Sequence, residues 1–188
     1  MGKSSLVAHK AVPTQSSRGA FLDPGTVPTG PQEIYLHPGQ NHVASGPVTL
    51  KMILGSCAGV FFFDPHLRIG GATHFMLPRH GAGQPSPRYG DVAIAGLLEQ
   101  MSAMGSSRRD IRAKVYGGAS MLSALRGLSG DSIGQIGRRN VESALTILTE
   151  ASIAVVEKDV LGERGRKVSM VSHTGVITLE FVSSGDGN

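Results

Sequence analysis

The sequence predicts a mixed α+β fold of the α/β class, a single domain built on a mixed β-sheet or sandwich with flanking helices. Three observations carry this expectation. Strand-like apolar segments outnumber amphipathic ones, and the two kinds do not alternate in the regular way of a doubly wound fold. Glycine is abundant, at 26 of 188 residues, while tryptophan is absent, a composition that favours short strands and tight turns. No internal repeat or heptad run interrupts the chain, and its length suits one core that needs no disulfide or metal. The expected organisation is a flexible leader over residues 1–31, a domain over 32–184 and a tail over 185–188.

In the leader, Pro24, Pro28 and Pro31 exclude a helix across the second half. Glu33 to Leu36 then reads as a short strand ended by His37-Pro38-Gly39. Val48 to Leu54 reads as a buried strand running into a Gly55-Ser56 turn. The apolar run Ala58 to Phe63 suits a strand or a buried helix, and periodicity does not choose. A helix starting at Ser56 or Cys57 would set the thiol at a positive dipole end.

Asp64-Pro65 breaks that element, and Ile69 to Met76 supplies a strand that Pro78 stops. A polar connector, Arg79 to Gly90, leads to a helix from Asp91 to Met104, in which Ile94, Leu97, Leu98, Met101 and Met104 recur at helical spacing. Asp91 is the expected N-cap and Gly105 the stop. Ile111, Ala113 and Val115 alternate with polar residues as a half-exposed strand, leading to Gly117-Gly118-Ala119-Ser120-Met121, read as a tight strand-to-helix connection. Val141, Ala144, Leu145 and Leu148 mark a second helix, and Ile153 to Val156 a strand. Arg166 to Ser172 and Val176 to Val182 flank a hairpin turn at His173-Thr174-Gly175.

Composition narrows the partners. The net charge of +4 comes from short clusters such as Arg108-Arg109, Arg138-Arg139 and Arg164 to Lys167, interrupted by acids and glycines. Solvated faces account for them, and no nucleic-acid module accompanies them. No apolar stretch approaches the roughly 20 residues of a membrane span, and the N-terminus lacks a signal-peptide core, so a cytoplasmic protein without membrane insertion is expected. Leu6 stands where a myristoylation motif needs Ser or Thr. His37, His42, His66, His80 and His173 show no ligand spacing, so no metal and no cofactor are expected. Ser56 and Ser120 lie in no nucleophile elbow.

Cys57, the single cysteine, follows Leu54-Gly55-Ser56, and His74 follows Gly70-Gly71-Ala72-Thr73. One thiol makes no internal disulfide, but it serves as a nucleophile when an imidazole takes its proton. Gly55 and Ser56 allow a tight turn whose following amides can face a carbonyl oxygen, as an oxyanion hole requires. Against this stands a plainer account, since lone cysteines in apolar stretches are more often small buried hydrophobes.

Leu54-Gly55-Ser56-Cys57, Asp64-Pro65, Gly70-Gly71-Ala72 with His74, and Met76-Leu77-Pro78 together resemble the CheD family of chemoreceptor glutamine deamidases. The likeness continues through His37-Pro38-Gly39, Tyr89, Gly117 to Met121, Ile136-Gly137-Arg138-Arg139-Asn140-Val141 and Gly162 to Val168, covering residues 33 to 182. It implies a CheD-like cysteine hydrolase fold and hydrolysis of glutamine side chains on methyl-accepting chemotaxis receptors, with Cys57 as nucleophile and His74 as general base. It also implies the receptors' cytoplasmic helices, and a CheC-type phosphatase, as partners.

One feature departs from the family pattern. That pattern places a threonine five or six residues before the cysteine, where this chain has Met52 and Lys51. Thr49, brought round by a bulge, is one candidate to orient His74, and a backbone carbonyl is another. Lys51 can favour the thiolate electrostatically but cannot accept an imidazole N–H. Two other functions stay open: a non-catalytic adaptor on receptors or a CheC-type phosphatase, and a thiol hydrolase of small amides.

Overall fold

The computed structural model describes residues 32–120 and 131–182, with the side chains of 131–134 left aside. The leader, the tail and Met121 of the glycine motif therefore lie outside the described residues. In chain order the elements are β1 (Gln32–Tyr35), β2 (Gln40–Ser45), β3 (Val48–Leu54), β4 (Ala58–Asp64), β5 (Ile69–Phe75), α1 (Gly90–Ala103), β6 (Arg112–Gly117), α2 (Asp131–Glu150), β7 (Ala154–Val160), β8 (Arg166–Val171) and β9 (Val176–Phe181). They form a four-stranded sheet, β1-β3-β8-β9, and a five-stranded sheet, β2-β5-β4-β6-β7. Both are mixed, because β1 pairs parallel with β3 and β6 parallel with β7, while the other pairs are antiparallel.

Alternation along the strands produces three layers. In β3, Leu50, Met52 and Leu54 are fully buried, and they meet Val168 and Met170 of β8 and Phe61, Ala72 and Tyr116 of the larger sheet in one apolar cluster between the sheets. The opposite face of the larger sheet, through Val60, Phe62, Phe75, Ala113 and Val115, packs on Ile94, Leu97 and Met101 of α1 and Ala144 and Leu148 of α2. Each large side chain so buried contributes about 1.5–3 kcal/mol before entropy is counted. The order of layers is thus sheet, sheet, helices, the mixed α+β sandwich expected from the sequence.

Ala58 to Asp64 is a strand, so no helix begins at Ser56 or Cys57 and the thiol does not sit at the N-terminus of one. The physical reason for the ambiguity is now plain. β4 is hydrogen-bonded on both edges, to β5 and β6, and covered on both faces, so it is apolar from Ala58 to Phe63 instead of alternating. In β6 the expected alternation holds at Ala113 and Val115, buried, against the half-buried Arg112 and Lys114, but Tyr116, expected on the exposed side, is buried in the inter-sheet layer. In α1 the residue at the N-cap is Tyr89, without a side-chain cap. Asp91 sits in the first turn, where its Oδ1 accepts the His80 and Val92 N–H groups at 2.9 Å each. Gly105, at φ +97°, follows the end of the helix as expected.

β2 was not foreseen in the sequence. Only Val43 and Ala44 are apolar in it, and it forms because β5 offers it a full antiparallel register from Gln40↔His74 to Ser45↔Ile69.

Candidate active site

The β4–β5 register sets Gly59 directly opposite His74. Directly opposed residues share a sheet face, and a Cβ built on Gly59 would meet Met52 and Leu54 of the inter-sheet cluster, so His74 projects between the sheets. Cys57, two residues before Gly59 and half-buried, packs against the same cluster. His74 of β5 and Cys57, the residue just before β4, therefore both border the cluster between the sheets.

The imidazole is 2 % exposed, and its Nδ1 lies 3.0 Å from the carbonyl oxygen of Leu36, just beyond β1. A carbonyl only accepts, so Nδ1 carries the proton and the neutral ring keeps its lone pair on Nε2. Nε2 is buried and has no hydrogen-bond partner among the described residues, so the ring and the Cys57 thiol are not bonded to each other. Such bonds commonly tighten only when substrate binds.

Burial pushes the Cys57 thiol up, opposed in part by a hydrogen bond from its own amide. Burial also pushes the His74 imidazole down, helped by the nearby His37 and opposed by the bond to Leu36. Both shifts favour the neutral forms, a protonated thiol and an unprotonated ring.

The turn that carries Cys57 is held by all three of its carbonyls. Ala119 N–H donates to Gly55 O at 2.8 Å, Gly118 N–H to Cys57 O at 2.8 Å, and Asn140 Nδ2 to Ser56 O at 2.9 Å. Among the described residues no backbone carbonyl accepts the Ser56 or Cys57 N–H. Gly117, at φ +103°, and Gly118, at φ +72°, occupy left-handed backbone that favours glycine, which explains the glycine pair. The neighbouring connection is anchored in turn: Leu161 N–H donates to Gly117 O and Ser120 N–H to Gly162 O, each at 2.8 Å.

Thr49 is not brought to this site. It alternates with the buried Leu50, Met52 and Leu54, so it lies with Lys51 and Ile53 on the outer face of the smaller sheet, and the β3 register is regular with no bulge. Lys51 is no aid to the thiolate either, because on that outer face its Nζ pairs with Glu33 at 2.5 Å. The group that orients His74 is the backbone carbonyl of Leu36.

The family model described as CheD chemotactic sensory transduction matches residues 76–181. Over 158 residues the chain is 41% identical to the "Probable chemoreceptor glutamine deamidase CheD 1" of Anaeromyxobacter dehalogenans, spanning 84% of this chain and 88% of that one. The chain belongs to the CheD family.

A second relative, of Sulfurimonas denitrificans, carries the name "Probable chemoreceptor glutamine deamidase CheD" and is 39% identical, over 79% of this chain and 93% of its own. A third of the same name, of Trichlorobacter lovleyi, is 41% identical over 79% of this chain and 89% of its own. Among solved structures, Bacillus licheniformis hypothetical protein YfiH aligns with 65% of this chain and 51% of that one, at 19% identity and a TM-score of 0.42, too slight a likeness to bear on function. The CheD family match starts at Met76, so Cys57 and His74 precede it, while the glycine motif and Asn140 lie within it. A backbone carbonyl is one expected partner of His74, but the sequence does not say which, and it assigns Asn140 no role. The Leu36 carbonyl belongs to backbone and leaves no signal in residue identity, and Asn140 stood inside a quoted motif.

Proposed function

We propose that this protein is a protein-glutamine deamidase that converts selected glutamines of methyl-accepting chemotaxis receptors to glutamate, with Cys57 as nucleophile and His74 as general acid and base. The observation that carries the chemistry is the Nε2 of His74, without a partner among the described residues and with its tautomer set by Leu36, facing the inter-sheet cluster that the half-buried Cys57 also packs against. The names of the relatives, similar over most of both chains, support the substrate.

In the first half-reaction Nε2 takes the thiol proton as Sγ bonds to the carboxamide carbon, and the oxyanion faces the amides of the Ser56–Cys57 turn. The C–N bond then breaks, and the imidazolium gives its proton to the departing ammonia, leaving a thioester. Water adds in the second half-reaction, Nε2 taking its proton. The C–S bond breaks, the imidazolium returns that proton to the departing sulfur, and glutamate is released with the thiol and neutral imidazole restored. In this reading proton transfer accompanies the attack, in keeping with the direction of both shifts, which favour the neutral thiol and the neutral ring.

The partners in this proposal are the cytoplasmic helices of the receptors, with a CheC-type phosphatase as a second, and the site of action is the cytoplasm beside receptor arrays. Among the described residues no helix is long and apolar enough to cross a membrane. The deciding experiment incubates the protein with receptor cytoplasmic fragments and follows mass. A gain of about one mass unit per site that vanishes with Cys57→Ala supports the proposal, whereas binding without any gain makes the protein an adaptor. Activity confined to free glutamine or small amides would make it a small-amide hydrolase instead.

A further inference from the structure

Asn140 of α2 is fully buried, and its Nδ2 donates two hydrogen bonds, to Ser56 O at 2.9 Å and to Met76 O at 3.0 Å. The first acceptor immediately precedes Cys57 and the second lies two residues after His74. A single carboxamide thus ties the turn of the thiol to the end of the strand of the imidazole. We propose that Asn140 is the positioning residue that holds Cys57 in register with His74, acting through these two backbone carbonyls and not on the substrate. This inference rests on the reading of Cys57 and His74 as the reacting pair.

The placement of α2 serves this purpose. Gly137, one helical turn before Asn140, packs on Gly118 so closely that a Cβ at Gly137 would come within 2.6 Å of the Gly118 carbonyl. Gly118 in turn donates to Cys57 O, so helix and turn meet through backbone alone. One turn after Gly137, the Asn140 amide reaches the two carbonyls. The remaining oxygen, Oδ1, is buried without a partner among the described residues, so both hydrogen bonds of this side chain run from Nδ2 to the two carbonyls. Ser143, three residues further along the same face, donates to Pro78 O at 2.7 Å and offers a matched control: it ties α2 to the same connection but not to the thiol turn.

The test compares Asn140→Ala with Ser143→Ala, both verified as folded by thermal melting and assayed well below the melting range. Two readouts are used: receptor-fragment deamidation, and the pH profile of Cys57 alkylation by iodoacetamide. For Asn140→Ala, kcat is expected to fall by about tenfold or more with KM within about twofold. Alkylation is expected to move the other way, its midpoint shifting to lower pH as the freed turn exposes the thiol, while Ser143→Ala leaves the midpoint in place. Should Asn140→Ala be too unstable to purify, Asn140→Ser, which retains one donor, is expected to show the same two changes in part. A folded Asn140 variant with kcat and alkylation profile both at the wild-type values overturns the proposal, as does an equal midpoint shift in Ser143→Ala. If the wild-type protein deamidates no receptor fragment, the proposed function fails, and the alkylation profiles alone still decide whether Asn140 positions the thiol.

Discussion

His74 donates its Nδ1–H to the carbonyl of Leu36 at 3.0 Å, and this one bond fixes which ring nitrogen faces the inter-sheet space. In a triad that duty falls to a side chain whose removal is a simple test. Here it falls to backbone, which no substitution deletes, so the consequences must be sought in the groups on either side.

Replacing Cys57 by Ala or Ser is expected to abolish receptor deamidation, because no second thiol exists in the chain. The fold should survive with a change of about 1 kcal/mol or less, the thiol being only half-buried. Mass spectrometry of receptor fragments and a denaturant melt measure the two effects.

His74→Ala is expected to reduce kcat by about 100-fold to 10,000-fold, the usual range for losing a general base. It also leaves the Leu36 carbonyl without its donor in a buried site, which costs about 1–3 kcal/mol of stability. A variant with full activity would remove His74 from the mechanism.

Thr49→Ala and Lys51→Thr are both expected to leave kcat within about twofold of wild type, because both positions lie on the outer face of β3. Restoring a threonine at Lys51, one of the two positions where the family pattern expects it, should confer no gain. A loss of activity in Thr49→Ala larger than that, in a folded protein, would mean that the residue reaches the site after all.

The pH dependence follows from the two shifts. Burial raises the Cys57 thiol, so its alkylation midpoint should lie above the ordinary cysteine value of about 8.5. Burial lowers His74, so between its folded value and the ordinary imidazole value of about 6.5 the unfolded chain binds the extra proton. Stability contributed by the neutral ring is therefore complete above that ordinary value and is lost as pH falls through the window below it. For Cys57 the sign reverses, with stability lost as pH rises above the ordinary thiol value. Iodoacetamide kinetics and denaturant midpoints across pH check both.

Gly137→Ala is expected to cost about 1–3 kcal/mol by forcing α2 away from Gly118, and to lower kcat by loosening the Asn140 bonds. An alanine tolerated at full stability would mean that the helix has room to shift.

Residue identity alone specified a good deal of this protein. The turn chemistry of Gly55-Ser56, the strand before it, the stripe of Ile94, Leu97, Leu98 and Met101, and the family motifs around Cys57 and His74 are local patterns, and local patterns survive in one dimension. Three-dimensional packing decided the rest. Whether Ala58 to Asp64 is strand or helix depends on neighbours at both edges. β2 exists because β5 pairs with it. Thr49 points outward because β3 keeps a regular register with β8. The orientation of His74 and the anchoring of the Cys57 turn rest on a carbonyl 38 residues from the imidazole and an amide 84 residues from Ser56. Backbone acceptors are the same at every position, so only the folded chain selects which of them a buried donor meets.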